Sequence, residues 1–461
     1  MKLWAGLGVY CKGLAAGTIH RRIIGAAMTI SVLTLICQLV AVAKELWVAA
    51  WFGTSDALDA FLMAMVIPTF VINVIAGSFH SALIPAYIHV RDEGHSKEAQ
   101  NLFSNVAAYC LILLLMTGVV VTFFGHLLLP VMASGFHQKK LALTQTLLYW
   151  LLPVIAIQGM IVLWSAVLNA CNRFVLAAIV PVFLPLAIIG TLVTTGRQWS
   201  AFSLVIGTIA GVTGQVIIMG WGLKQQGIRI RPRWGMNNPR ARAVMGQYAP
   251  VVAGAFLMSG TNVVDQAMAA MLDPGSVAAL SYGSRIVNVG LGLTAASIAT
   301  AAFPYFSKQV AQKDWTGLWQ TLCFYLRWVF IIAVPVSLLT FAFSAQIVRL
   351  FYERGAFLAK DTYLVAHIQS LFVWQAPFYI GGMLLVRVIS SLKANQILMW
   401  ASGLNLLLKV AMNYLFIQWM GVAGIALSTS LMYLGSFVFV YYSVRILLGK
   451  SMKGSQIHGS E

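Results

Sequence analysis

The chain offers roughly twelve apolar windows of about 20 residues, one after another, with only short gaps between most of them. A helix of that length rises about 30 Å, the thickness of the hydrocarbon core of a bilayer. Inside hydrocarbon every backbone N–H and C=O must be paired within the segment or with a neighbouring strand, so only helices and closed barrels cross. Windows this long and continuously apolar are helical, since barrel strands are about half as long and alternate in polarity. They lie near 23–50, 59–88, 101–129, 143–169, 174–195, 200–223, 244–271, 276–304, 317–345, 363–389, 395–418 and 421–447. Charged residues make up 9% of the chain, against about 25% in a soluble domain. The expected fold class is therefore an all-α polytopic membrane protein. Arg21 and Arg22 precede the first window, which reads as a first transmembrane helix and not as a cleaved leader.

Lys and Arg outnumber Asp and Glu by 30 to 12. In a polytopic chain that excess belongs to loops held on the cytoplasmic side, and nucleic-acid binding is not indicated. With the N-terminus inside, Lys139, Lys140, Arg197, Arg349, Arg354 and Lys360 fall outside, and roughly three times as many basic residues fall inside. Both termini are then cytoplasmic. The most basic loop separates six windows from six. The expected organisation is a cytoplasmic segment 1–22, a first six-helix lobe 23–223, a basic linker 224–243, a second lobe 244–447 and a cytoplasmic tail 448–461.

The two halves echo each other. SALIPAY ends the second window where TAAFPYF ends the eighth, and ASGF (133–136) follows the third as RGAF (354–357) follows the ninth. Six helices per repeat keep the same topology in both. The repeats are then related by an axis along the membrane normal, with a site in a central cavity between two pseudo-symmetric lobes.

Charges at membrane depth mark that site, because each costs several kcal/mol unless it faces a cavity or a partner. Lys44 and Glu45 sit near the outer end of the first window, Asp59 opens the second, Asp265 lies in the seventh and Arg285 in the eighth. Buried apolar pairs would often hold as well as salt bridges, so a substrate-facing cluster is preferred to purely structural pairing. Ser281, Arg285 and Asn288 recur at helical spacing, as do Thr69, Asn73 and His80, with Pro68 and Pro85 expected to bend the second helix. Lys409 is a further cavity-lining candidate. The loop 350–362 is expected to be solvated. The five cysteines show no CxxC spacing, so neither a disulfide framework nor a metal site is expected. No Walker A, HExxH or GxSxG motif marks an enzyme, and neither catalytic residues nor a cofactor are expected.

The stretches DAFLMAMVIPTFVINVIAGSFHSALIPAY (59–87), VDQAMAAMLDPGSVAALSYGSRIV (264–287) and LFYERGAFLAKDT (350–362) resemble the MviN/MurJ family of lipid-linked saccharide flippases. That family lies within the multidrug/oligosaccharidyl-lipid/polysaccharide exporter superfamily. The resemblance implies a cationic cavity holding the diphosphate and sugars of an undecaprenyl-linked precursor, in a bacterial cytoplasmic membrane. Lys44 stands where the family usually has arginine, Glu45 stands at its aspartate, and Asp59, Asp265 and Arg285 match directly. Lys44 and Arg285 would then bind diphosphate, while Glu45, Asp59 and Asp265 balance charge or couple transport to H⁺, Na⁺ or the membrane potential.

Gln38, Ile72 and Asn73 stand where basic residues are usual in the family, and two extra C-terminal helices of the peptidoglycan-precursor flippases have no counterpart. These departures favour an exopolysaccharide or capsule precursor over a peptidoglycan one. The expected partners are the lipid-linked saccharide, membrane lipid and polysaccharide-assembly proteins, around a monomer. A cation or drug exporter on the same superfold, and a non-transporting scaffold of a polysaccharide assembly complex, are the alternative functions.

Overall fold

The computed structural model describes residues 19–94, 96–171, 173–195, 199–228, 239–392 and 394–458. Half of the basic linker (229–238), the first 18 residues and the last three lie outside the described residues, as do the side chains of the tail from 450 on.

Helices account for nearly all of it. The first half contains α1 (Ile19–Phe52), α2 (Asp56–Val71), α3 (Gly77–Asp92), α4 (Ser96–Met132), α5 (Gln138–Ala170), α6 (Phe174–Ile179), α7 (Phe183–Thr195) and α8 (Ala201–Gln225). The second half contains α9 (Pro239–Ala270), α10 (Ser276–Ala311), α11 (Trp315–Ala342), α12 (Ser344–Tyr352), α13 (Ala359–Phe372), α14 (Gln375–Ser391), α15 (Gln396–Met420) and α16 (Val422–His458). Among the described residues, ten helical stretches are long and apolar enough to cross a membrane. The 32-residue α9 and the 36-residue α10 occupy the seventh and eighth places in the expected order.

Helix α15 is built inside out. The buried residues of α15 are Ala401, Ser402, Lys409 and Asn413, almost all polar, while Leu407 and Trp419 are more than 70% exposed. In water that pattern would unfold, whereas in lipid the apolar face meets its preferred solvent.

Three windows depart from single straight helices. The second carries a π-helical turn, Ile72–Ala76, between α2 and α3, while Pro68 and Pro85 lie within helical backbone. The irregular hydrogen bonding thus falls one turn after Pro68, not at the proline itself. The fifth window passes through a 3₁₀ turn, Val180–Val182. The tenth breaks at Val373–Trp374 between α13 and α14, where Ser430 Oγ donates to the Leu371 carbonyl at 2.7 Å and Ser337 Oγ to the Val373 carbonyl at 3.3 Å.

By packing, the chain forms two compact units that cut across the sequence halves. One comprises Met1–Glu45, Ile75–Gly118 and Leu152–Tyr248. There α7 and α8 approach closely through Gly207 and Gly211, a GxxxG pair: a Cβ on Gly211 would lie 2.7 Å from Leu184 Cα. Phe79 stacks on Tyr248 with ring centroids 4.2 Å apart. The other unit comprises Leu46–Val74, Val119–Leu151 and Ala249–Glu461. Its core includes Phe306, Leu322, Leu385, Val388 and Val444, all but closed to solvent.

The loop 350–362 is solvated only in part: Arg354, Leu358 and Lys360 are exposed, while Tyr352, Phe357, Asp361 and Thr362 are buried. Phe357 is 2% exposed and meets Tyr352 and Tyr282 with ring centroids 5.7 and 5.6 Å away. Tyr352 and Phe357 have a packed surface to enter, which local composition does not reveal.

Candidate functional site

Arg285 lies nine residues into α10, about 13 Å along the helix axis from its start. It is half-buried, with Ser281 half-buried one turn before it and Asn288 exposed one turn after. The helical spacing read from the sequence therefore does set a polar stripe around the guanidinium. On α2 and the π turn, Thr69 and Asn73 are exposed, and His80 on α3 is half-buried.

Lys44 donates to its neighbour Glu45, with Nζ 2.7 Å from Oε1 and side chains 20% and 15% exposed. The two charges therefore enter the helix as a nearly neutral pair, and the ammonium keeps donors free for a second acceptor.

Asp59, expected to balance Lys44 and Arg285, is engaged elsewhere. It is 1% exposed, and its Oδ2 accepts from Lys140 Nζ at 2.7 Å and from the Gly275 amide at 2.7 Å. Its Oδ1 accepts from the Ala278 amide at 2.7 Å. Lys140 also reaches Asp56, at 2.6 Å. By its place in the sequence, Lys140 counts among the outer loop charges. Its signal was the Asp56/Asp59 pair at i, i+3 on one helix face, which needs a cation on the outer side.

Asp265 is likewise committed, within the second half of the sequence. Its Oδ2 lies 2.9 Å from Lys409 Nζ, and Oδ1 accepts from Asn413 Nδ2 at 2.8 Å. Lys409 also donates to Thr429, and Ser428 donates to Asn413 Oδ1. Lys409 is 1% exposed, so it is a packed member of a network linking α9, α15 and α16 and does not line an open surface. Asn413, Ser428 and Thr429 escaped the sequence reading because uncharged polar residues in apolar windows are too common to stand out. Among the described residues no cluster of three His, Cys, Asp or Glu side chains could hold a metal ion.

The site residues thus fall into three sets. One is a polar stripe around Arg285, one the Lys44–Glu45 pair, and the third comprises two buried carboxylate–lysine centres, at Asp59 and Asp265.

A sequence model of the lipid II flippase MurJ family matches residues 48–456. The chain belongs to this family. The lipid II flippase MurJ of Burkholderia cenocepacia is 26% identical over 424 residues, covering 87% of this chain and 80% of that protein. A probable lipid II flippase MurJ of Synechocystis is 25% identical over 456 residues, covering 95% and 85%. Among solved structures, a lipid II flippase MurJ in an inward closed conformation superposes with a TM-score of 0.79 at 23% identity, covering 91% of this chain and 87% of that one. An inward-facing multidrug resistance MATE family transporter of the MOP superfamily superposes with a TM-score of 0.74 at 15% identity, covering 92% and 99%. The MurJ fold, a multi-pass helical membrane architecture, is thereby shared over the length of the chain.

Proposed function

We propose that this chain translocates a polyprenyl-diphosphate-linked saccharide of the lipid II type, from the cytoplasmic to the outer leaflet of a bacterial cytoplasmic membrane, by alternating access. Arg285 carries the reading. It is a permanent charge deep in a membrane helix, at the centre of a polar stripe, in a chain that matches lipid II flippases from residue 48 to 456. The guanidinium would take two diphosphate oxygens in a bidentate pair, and the Lys44 ammonium would add a point charge. The reading assigns no catalytic residue, places both termini in the cytoplasm and treats the chain as a monomer. Return of the empty carrier would draw on H⁺, Na⁺ or the membrane potential, the last worth about 2.3 kcal/mol per charge per 100 mV.

A second saccharide is favoured by one observation. Asn73, exposed in the π turn, and Gln38 and Ile72 occupy positions where basic residues are usual in the family, which suits a less anionic head group than a peptidoglycan precursor.

The deciding experiment is leaflet translocation in vesicles, with lipid II and an undecaprenyl-diphosphate exopolysaccharide precursor offered separately. Transport of either by the wild type, lost in Arg285→Ala and Lys44→Ala at unchanged protein level, supports the reading. Equal transport in all three proteins removes the diphosphate assignment. Transport of neither lipid by the wild type removes the flippase.

A further inference from the structure

The ammonium of Lys409, in the middle of the apolar α15, lies between oxygens of α9 and α16. Asp265 on α9 presents Oδ2 at 2.9 Å, and Thr429 on α16 presents its hydroxyl oxygen. The hydrogens of the neighbouring groups point elsewhere. Thr429 donates to the Ile425 carbonyl at 2.8 Å, which leaves its lone pairs for the ammonium. Asn413, one turn after Lys409, turns its amide nitrogen to Asp265 Oδ1 at 2.8 Å and its oxygen to Ser428. Ser428 donates to that oxygen and to the Ile425 carbonyl, the latter at 2.9 Å. In this network every donor except Lys409 holds an acceptor in place, so the shell offers the ammonium lone pairs alone.

A carboxylate and a hydroxyl with their hydrogens tied back form the kind of oxygen shell that takes a small, hard cation. We propose that this shell is a cation seat filled by the chain's own ammonium, so that Asp265 takes no Na⁺ from solution and Lys409 is the residue that decides this. The seat stands on the geometry; that its filling frees transport from Na⁺ at Asp265 rests on the reading of the chain as a carrier. All the residues involved belong to one compact unit. A free cation biases a carrier because it can bind one state better than another and then leave. A tethered ammonium cannot leave, whatever the ion concentration outside. Both carboxylate oxygens of Asp265 are committed within the chain, Oδ2 to Lys409 and Oδ1 to Asn413. Lys409 is also among the largest side chains fully closed to solvent, so cutting it back to alanine vacates the space of its ammonium and most of its stem. The vacated seat would keep the carboxylate and the hydroxyl, and methylammonium or Na⁺ would match it in charge and size.

Thermal unfolding of the full-length protein in micelles tests the seat without any substrate. Choline, sodium and methylammonium chlorides are compared at equal ionic strength. The wild-type midpoint should be the same in all three. The Lys409→Ala midpoint should fall in choline, which is too bulky for the vacated space, and rise by about 2 °C or more in about 100 mM Na⁺ or methylammonium. Adding Asp265→Asn should abolish that response. A Na⁺-dependent rise in the wild type that Asp265→Asn abolishes overturns the proposal, whatever the lysine variant does. So does a Lys409→Ala protein that folds but answers to neither cation, or one that folds in none of the three salts. Translocation by the wild type in vesicles should run equally in Na⁺ and in choline. A strict Na⁺ requirement there overturns the transport half of the proposal and leaves the flippase intact. Translocation in neither salt removes the flippase and leaves the seat to the unfolding data.

Discussion

Replacing Lys409 by methionine removes an ammonium without removing volume, and so isolates the charge. Lys409 is 1% exposed and lies 2.9 Å from Asp265, whose side chain is 16% exposed. Without the ammonium, the carboxylate keeps one amide donor, Asn413 Nδ2 at 2.8 Å, which does not offset its desolvation. Breaking a buried pair by removing one partner costs about 3–5 kcal/mol, and that is the expected destabilisation of Lys409→Met. Adding Asp265→Asn removes the orphaned charge and keeps the shape. The double variant should recover most of the loss, with a coupling energy of about 2–3 kcal/mol. Unfolding titrations in mixed micelles, followed by tryptophan fluorescence, would measure all four corners of the cycle under one condition. A Lys409→Met variant within about 1 kcal/mol of wild type would refute the argument, since polar contacts in membranes can be that weak when the unfolded state finds other partners. Simple additivity of the two single changes would refute it equally, because the network reading requires that the second change help only when the first is present.

Other positions give sharper contrasts. Gly94 and Gly355 both have positive φ, +84° and +63°, but a Cβ on Gly94 meets nothing within 4 Å while one on Gly355 meets the Ala50 carbonyl. Gly94→Ala should cost only the backbone strain, about 1 kcal/mol, whereas Gly355→Ala should cost clearly more in the same unfolding titration. In the α7–α8 contact, Gly211→Leu should lower stability by at least about 2 kcal/mol, because the chain must part where Leu184 Cα would lie 2.7 Å away, and equal midpoints would contradict the close approach. Deleting Asn73 removes the extra residue of the π turn; helix content by circular dichroism should persist while translocation falls, and full transport by that variant would make the turn a packing accident.

The helical, membrane-spanning character of this chain is fixed by its sequence, because a bilayer leaves the backbone few choices and a window of apolar residues reports its own length. The order of the spans and the family were legible for the same reason: each rests on a pattern along the chain. The depth of Arg285 followed from counting residues along α10, and Asp59 and Asp265 stood out because carboxylates in apolar windows are rare. What they touch was not legible. Asp59 meets Lys140 across 81 residues and the start of α10 across more than 200, and Asp265 meets Lys409 across 144. A charge at membrane depth signals that it needs a partner but carries no address. The loop 350–362 shows the same limit from the apolar side, since Phe357 reads as exposed until Tyr282 and Tyr352 are brought against it. Sequence determined which residues are costly to bury; only the tertiary structure decided how each cost is met, because compensation is a matter of distances between segments remote along the chain.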